Sequence, residues 1–229
     1  MIKDPPLLTI KRDFPRPGPH EIAAFARIPT GYIVDAMEGR GALDHRIKPL
    51  APAPSVLVGT AITCHCGPAD NLGLFAALAT AQPGDILIAA TDAFTGTSVA
   101  GDLLMGMARN RGLLGLVTDG LARDLAGILG VGLPVYCAGL IPNSPARNGP
   151  GTVGLPVVIG GVAVASGDVV IADNDGVVIV PHGRIGAVLE RLPAIRTAEA
   201  ALEAKVKNGL EIPDFIQSIL ASDRVARMD

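Results

Sequence analysis

The chain has no tryptophan and only five phenylalanines and two tyrosines, so its core must be built from Ala, Val, Leu and Ile. Long apolar runs are missing too. Hydrophobic residues make up 49% of the sequence, yet Gly, Pro, Asp or Thr interrupts every run before the roughly 18 residues that a membrane span needs. A soluble protein without membrane attachment is expected. Cysteine is scarce: three residues form no disulfide framework and agree with a reducing cytoplasm. No basic block exists, and the net charge of -3 argues against nucleic acid as the main partner. The opening MIKDPPLL lacks the apolar core of a signal peptide, so export is not expected. What is there, 229 residues, suffices for a single domain with a sizeable core.

The strongest chemical signal is the stretch from Gly112 to Asp124, GLLGLVTDGLARD. Leu113 to Val117 is a short apolar run without helical spacing, ending in Thr118, Asp119 and Gly120, which predicts a buried strand with a polar C-terminal end. In α/β sheets that edge carries the chemistry. Arg123 and Asp124 follow at once, too close in sequence to face each other as a helix pair, and so should address a third group. A metal would suit Asp124, and a substrate carboxylate or keto oxygen would suit the planar fork of Arg123. The bland alternative is a helix-capping Asp beside a surface Arg.

Around this stretch the pattern alternates strands and helices. Pro5, Pro6, Pro15 and Pro17 predict an extended arm over residues 1–18, lying on a neighbouring subunit. Residues 19–38 predict two short helices broken at Pro29-Thr30-Gly31, with Thr30 capping the second. Ser55 to Cys66 reads as a strand kinked at Gly59, and Asp70 or Asn71 caps an Ala- and Leu-rich helix through Ala81. The strand Ile86 to Ala90 ends at Thr91-Asp92; a flexible segment, FTGTSVAG, then opens a helix over Asp102 to Asn110. The backbone N–H groups of about Gly101 to Leu104 would be free there to hold an anionic group. A short helix over 125–132, a strand over 135–138 and a loop over 141–154 come next. Residues 157–180 hold β-rich runs divided by Gly160-Gly161, Ser166-Gly167-Asp168 and the hairpin signal Asn174-Asp175-Gly176. From Gly183 onward the chain reads as a helical segment, 183–229, with a break near Pro193 and with Glu199 and Glu203 spaced to share one face.

Four apparent motifs carry no chemistry. Gly39-Arg40-Gly41 follows no strand and is a turn. Cys64-His65-Cys66 lacks further ligands at a workable spacing, so buried strand thiols are expected rather than zinc. GTSVAG is not a nucleophile elbow, because its second Gly comes one residue late. Asp173 and Asp175 lack the other ligands of a calcium loop and belong to a hairpin turn.

The run GLVTDGLARD at 115–124, preceded by GDLL at 101–104 and followed by SGDVVIADNDGVVIVP at 166–181, resembles the RraA-like family over roughly residues 20–210. That family contains class II pyruvate aldolases acting on 4-hydroxy-4-methyl-2-oxoglutarate and 4-carboxy-4-hydroxy-2-oxoadipate. It also contains proteins that bind and restrain a ribonuclease and its helicases without catalysis. The resemblance implies an α/β swivelling β/β/α sandwich with flanking N- and C-terminal helices, assembled as homotrimers or homohexamers with active sites between subunits. It further implies that Asp124 holds Mg2+ or Mn2+, largely through waters, and that Arg123 grips the keto oxygen of a small 2-oxo acid. Backbone amides of Leu103 and Leu104, beside Gly101, would take the substrate carboxylate. Asp102 and a glutamate of a neighbouring subunit, best matched by Glu199, would organise water at the metal. Asn71 could donate one hydrogen bond to the remote half of the substrate, and the following Leu72 to Phe75 offer no other donor. Pyruvate release by retro-aldol cleavage, with oxaloacetate decarboxylation as a companion, is the activity implied. No Gly-rich nucleotide loop supports methyl transfer.

Overall fold

Aliphatic and β-branched runs set the rhythm of the chain, because each Gly, Pro or Asp between them ends a strand or opens a helix. A computed structural model describes residues 4–228. Its first section holds β1 (Leu8–Ile10), α1 (Pro19–Ala24), α2 (Thr30–Ala36), β2 (Lys48–Pro49) and β3 (Leu57–His65). An alternating section follows, with α3 (Leu72–Thr80), β4 (Asp85–Ala90), β5 (Ser98–Ala100), α4 (Asp102–Asn110) and β6 (Gly115–Thr118). It continues through β7 (Leu121–Ala122), α5 (Leu125–Val131), β8 (Val135–Cys137) and β9 (Gly151–Val153). Two hairpins, β10 (Val157–Ile159) with β11 (Val162–Val164) and β12 (Val169–Asp173) with β13 (Gly176–Val180), lead to α6 (Ile185–Lys207) and α7 (Asp214–Leu220).

The fold is α/β. β3, β4, β6 and β8 are parallel neighbours in the main sheet, and α3, α4 and α5 make the crossovers between them. Strands of this kind are buried on both faces. On β4, Leu87 and Ala89 join Leu74, Leu104 and Ile128 of the three helices, while Ile86, Ile88 and Ala90 join Val157 and Ile159 of the first hairpin. The sheet thus lies between a helical layer and a β layer, the sandwich that the family resemblance implies. A third core packs Phe25, Ile33 and Val188 against Ile171 and Val178 of the second hairpin. β3 serves two partners along one edge: Leu57 to Thr60 pair with β12, and Cys64 and His65 with β9.

Several local expectations are corrected. The arm is attached to its own chain: β1 pairs in parallel with β9, and the fork of Arg16 donates to both oxygens of Asp85 at 2.7 and 2.9 Å. The segment 141–154 is not all loop, since its end supplies β9. Thr30 does not cap α2. Its backbone N–H and hydroxyl both donate to Asp173, at 2.8 Å each, so the capping carboxylate comes from the second hairpin. Pro193 causes no break, and α6 runs through it. Cys64 and Cys66 are buried as expected, and a hydrogen bond to Cys66 together with burial holds the Cys64 thiol well above its usual range.

Asp85 is only 1% exposed, and Arg16 is the cation it pairs with. Arg16→Ala should leave that carboxylate with the Gln82 amide alone and lower stability by about 2–4 kcal/mol. Urea unfolding at constant m would show this as a lowered midpoint; an unchanged midpoint would mean that the arm contributes nothing to the fold.

Candidate active site

β5 and β7 form a small parallel pair off the main sheet. Because they run in the same direction, they end side by side, and the Arg123 amide donates to the Ala100 carbonyl at 3.0 Å. Gly101-Asp102 therefore leaves one strand beside the point where Arg123-Asp124 leaves the other. A cleft of about 170 Å³ opens there. It is lined by Asn71, Gly101, Asp102, Leu103, Leu104, Arg123 and Asp124, every residue that the sequence nominates for one site except Glu199.

Asp124 adopts a left-handed backbone, φ 60° and ψ 47°, which a short polar residue tolerates better than most. It occupies the N-cap position of α5, yet its side chain makes no capping bond. The carboxylate instead meets its neighbour: Asp124 Oδ2 lies 3.2 Å from Arg123 Nε. This corrects the expectation that adjacent residues could not face each other, which holds for a continuous helix and fails at a left-handed turn. Arg123 also donates through Nη1 to Ser144 Oγ.

Two glycines make room for this cluster. A Cβ on Gly101 would fall 2.6 Å from Asp124 Oδ2 and 3.2 Å from Arg123 Cγ. On Gly127, in the first turn of α5, it would fall 2.5 Å from the Cβ of Asp102. Asp102 Oδ1 accepts from the Leu103 amide at 2.7 Å, so that amide is engaged and the Leu104 amide is the more available donor at the start of α4.

Asn71 differs from expectation in its polarity. Its side-chain N–H donates to the Val99 carbonyl at 3.0 Å, and its buried Oδ1 is without a partner among the described residues. Ser98 is no nucleophile: it is buried, and its hydroxyl donates to the Asn143 carbonyl. Glu199 does not line the cleft; it is exposed on α6, which packs on α2. Sequence reasoning took Phe75 only as a residue without a donor and passed over Ser144 and Arg147; all three line it. The length of the 141–150 segment was the available signal, since long connections tend to be functional.

This arrangement coincides with a family match. Residues 30–179 match the model described as RraA-like, Aldolase/RraA. The chain belongs to the RraA-like family. A Halalkalibacterium halodurans protein named "putative 4-hydroxy-4-methyl-2-oxoglutarate aldolase" is 32% identical over 200 residues, 87% of this chain and 95% of that one. Among solved structures, Streptomyces coelicolor RraAS2, titled an unusual member of the RNase ES inhibitor RraA protein family, superposes with a TM-score of 0.75 at 26% identity. That match covers 83% of this chain and all of RraAS2. An uncharacterized Pseudomonas syringae protein also reaches a TM-score of 0.75, at 22% identity over 86% of this chain and 96% of that one, and supports the fold alone.

In this RraA-like chain the bare edge of α5 is a sharp test of the cluster. Gly127→Ala should favour the helix by about 0.5–1 kcal/mol through propensity while displacing the Asp102 carboxylate. The variant should stay folded by circular dichroism and lose at least about tenfold in turnover, the equivalent of 1.4 kcal/mol. Full turnover would show that Asp102 need not occupy its observed position.

Proposed function

We propose that this chain is a cytoplasmic carbon–carbon lyase, a divalent-metal-dependent class II aldolase that cleaves a 4-hydroxy-2-oxo acid to pyruvate and a second oxo acid. Decarboxylation of oxaloacetate accompanies it, because loss of carbon dioxide generates the same enolate. The supporting observation is the convergence of Arg123, Asp124, Asp102 and the start of α4 on one cleft. No group of three or more His, Cys, Asp or Glu side chains able to hold a metal occurs among the described residues, so a closed zinc site does not fit. Mg2+ or Mn2+ does fit, because such an ion is held by one or two carboxylates and keeps several waters. Asp124 would be its direct ligand, with the space that a Cβ at residue 101 would occupy left open beside the carboxylate. When bound, the ion supplies Lewis-acid stabilisation of the enolate oxygen.

The chain's own groups do the rest. The Leu104 amide receives the substrate C1 carboxylate, and Arg123 donates to the C2 keto oxygen, where its fork stabilises negative charge as that charge develops. Asp102, with Glu199 of the partner subunit, holds the water that removes the 4-hydroxyl proton. The C3–C4 bond then breaks, C4 becomes a carbonyl, and its electron pair passes into the enolate of pyruvate. A proton returned to C3 completes the product. Among the described residues no lysine lines the cleft, and the proposed cleavage proceeds without a Schiff base.

Pyruvate release is the direct test. Asp124→Ala should abolish it without unfolding the protein, since Asp124 is exposed. Chelation of the wild type should do the same, reversed by magnesium or manganese. Full turnover by folded Asp124→Ala protein would refute the assignment. The likeness to RraAS2 favours a second reading, a non-catalytic regulator that binds a ribonuclease. That reading gives no task to the Arg123–Asp124–Asp102 cluster, and pyruvate release that depends on Asp124 would exclude it as the sole role.

The site is also proposed to be shared within a homotrimer or homohexamer. Apolar side chains stand exposed both at the cleft, where Leu103 is 76% accessible, and on the far half of α6, where Val206 is 56% accessible. Covering one with the other would bring Glu199 of the partner subunit to the cleft. Inactive Asp124→Ala and Glu199→Ala subunits, mixed by unfolding and reassembly, should then regain activity. Mixed oligomers seen by mass spectrometry that stay inactive, under conditions the wild type survives, would exclude a shared site.

A further inference from the structure

We infer that Ser144 is a positioning residue for Arg123: its hydroxyl, carried on a loop fixed from both sides, keeps the guanidinium turned toward the reacting oxygen when the Asp124 carboxylate is given over to a metal. This deepens the aldolase reading and rests on it. Among the described residues the guanidinium makes a single hydrogen bond, from Nη1 to Ser144 Oγ. Its other close contact is ionic, with Nε 3.2 Å from Asp124 Oδ2. A planar group held at Nε and Nη1 has its orientation set, and its Nη2 edge is left for a ligand. Once Asp124 turns its carboxylate to a divalent cation, Ser144 is the contact that persists. Without it, the long Arg123 side chain would spread over several rotamers.

The hydroxyl can hold Arg123 because its own backbone has little freedom. Ser144 stands in the run Ile141-Pro142-Asn143-Ser144-Pro145, and the proline that follows confines it to extended backbone. On its N-terminal side the Ile141 amide donates at 2.9 Å to the carbonyl of Ala122, the residue before Arg123. Asn143 is clasped to β5 and the segment entering it. Its carbonyl accepts from the Ser98 amide at 2.9 Å and the Ser98 hydroxyl at 2.8 Å, and its side-chain N–H donates to the Gly96 carbonyl at 3.1 Å. On the C-terminal side the Ala146 amide donates to the Ala69 carbonyl at 2.7 Å. The loop is thereby tied to the same two strands, β5 and β7, whose ends carry the site, and Ser144 lines the cleft between those anchors. A donor aimed before the ligand arrives needs no reorganisation as charge develops on the oxygen. Ser144 should therefore act on the rate and hardly on ground-state binding.

The test sets Ser144→Ala beside Ser144→Thr, which keeps the hydroxyl. With 4-hydroxy-4-methyl-2-oxoglutarate and magnesium, Ser144→Ala should lower kcat at least about fivefold with KM within about twofold, and Ser144→Thr should recover most of the loss. Titration with Mn2+, followed by electron paramagnetic resonance, should give the wild-type affinity in both variants, because the Asp124 carboxylate is untouched. Calorimetry with magnesium should show oxalate, a planar dianion resembling the enolate of pyruvate, binding about fivefold more weakly to Ser144→Ala, and pyruvate no more than about twofold. An equal rate of pyruvate release by Ser144→Ala overturns the assignment and leaves the aldolase reading standing. An equal loss in Ser144→Thr, or a parallel loss of Mn2+ affinity, overturns it as well. Weakened oxalate binding at unchanged Mn2+ affinity, in a protein whose wild type releases no pyruvate, upholds the role of Ser144 and refutes the aldolase reading instead.

Discussion

The site depends on two strand ends approaching closer than side chains would ordinarily permit. β5 and β7 terminate together, and a side chain on Gly101, the residue that leaves β5, would have to displace the Asp124 carboxylate from its observed position. A left-handed turn at Asp124 follows. It bends the chain sharply enough to start α5 beside α4, and it turns the carboxylate toward Arg123 and away from the amides that an N-cap would normally serve. Strain of this sort, of order 1–3 kcal/mol, persists where surrounding structure over-determines it, and here both strands and both helices do so.

Much of this was legible because it is local. The apolar run ending in Thr118-Asp119-Gly120 is β6 and its polar edge, and the segment rich in small residues before Asp102 does open a helix. Patterns of period two and 3.6 report burial directly, so the strand β4 and the helices α3 and α4 lie close to their expected bounds. Arg123, Asp124, Asp102 and Asn71 meet in one cleft because each sits at the end or start of such an element. The helix-cap alternative for Asp124 had the position right and the side chain wrong, which only the backbone angle decides.

What was not legible is held by bonds between distant residues. Thr30 and the carboxylate that caps its helix are 143 positions apart, and Arg16 and Asp85 are 69 apart. Asp70 accepts from the Asn148 amide, 78 positions away. No window of sequence contains both ends of such a pair, so Thr30 reads as its own cap, the arm as lying on a neighbouring subunit, and Arg147 draws no reading at all. β9 was missed for a related reason: three residues among Gly and Pro carry no period of their own, and become a strand because β1 and β3 lie on either side. Pro193 is the opposite case, a strong local signal overridden by the continuous helix around it.

The cleft's charges connect its two proposed ligands. Arg123 and Arg147 are permanently cationic, and Asp102 and Asp124 balance them, so the four side chains sum to zero. A 2-oxo acid with two carboxylates, placed there alone, would bring the total to minus two in a partly enclosed space where charge is poorly screened. A divalent cation on Asp124 returns it to zero. Each ligand therefore relieves the charge the other creates, and each should bind more tightly when the other is present, by the same factor in both directions. The metal and the 2-oxo acid of the proposed reaction are thus coupled by one electrostatic balance, set by which four charged side chains the strand ends and the facing loop bring together.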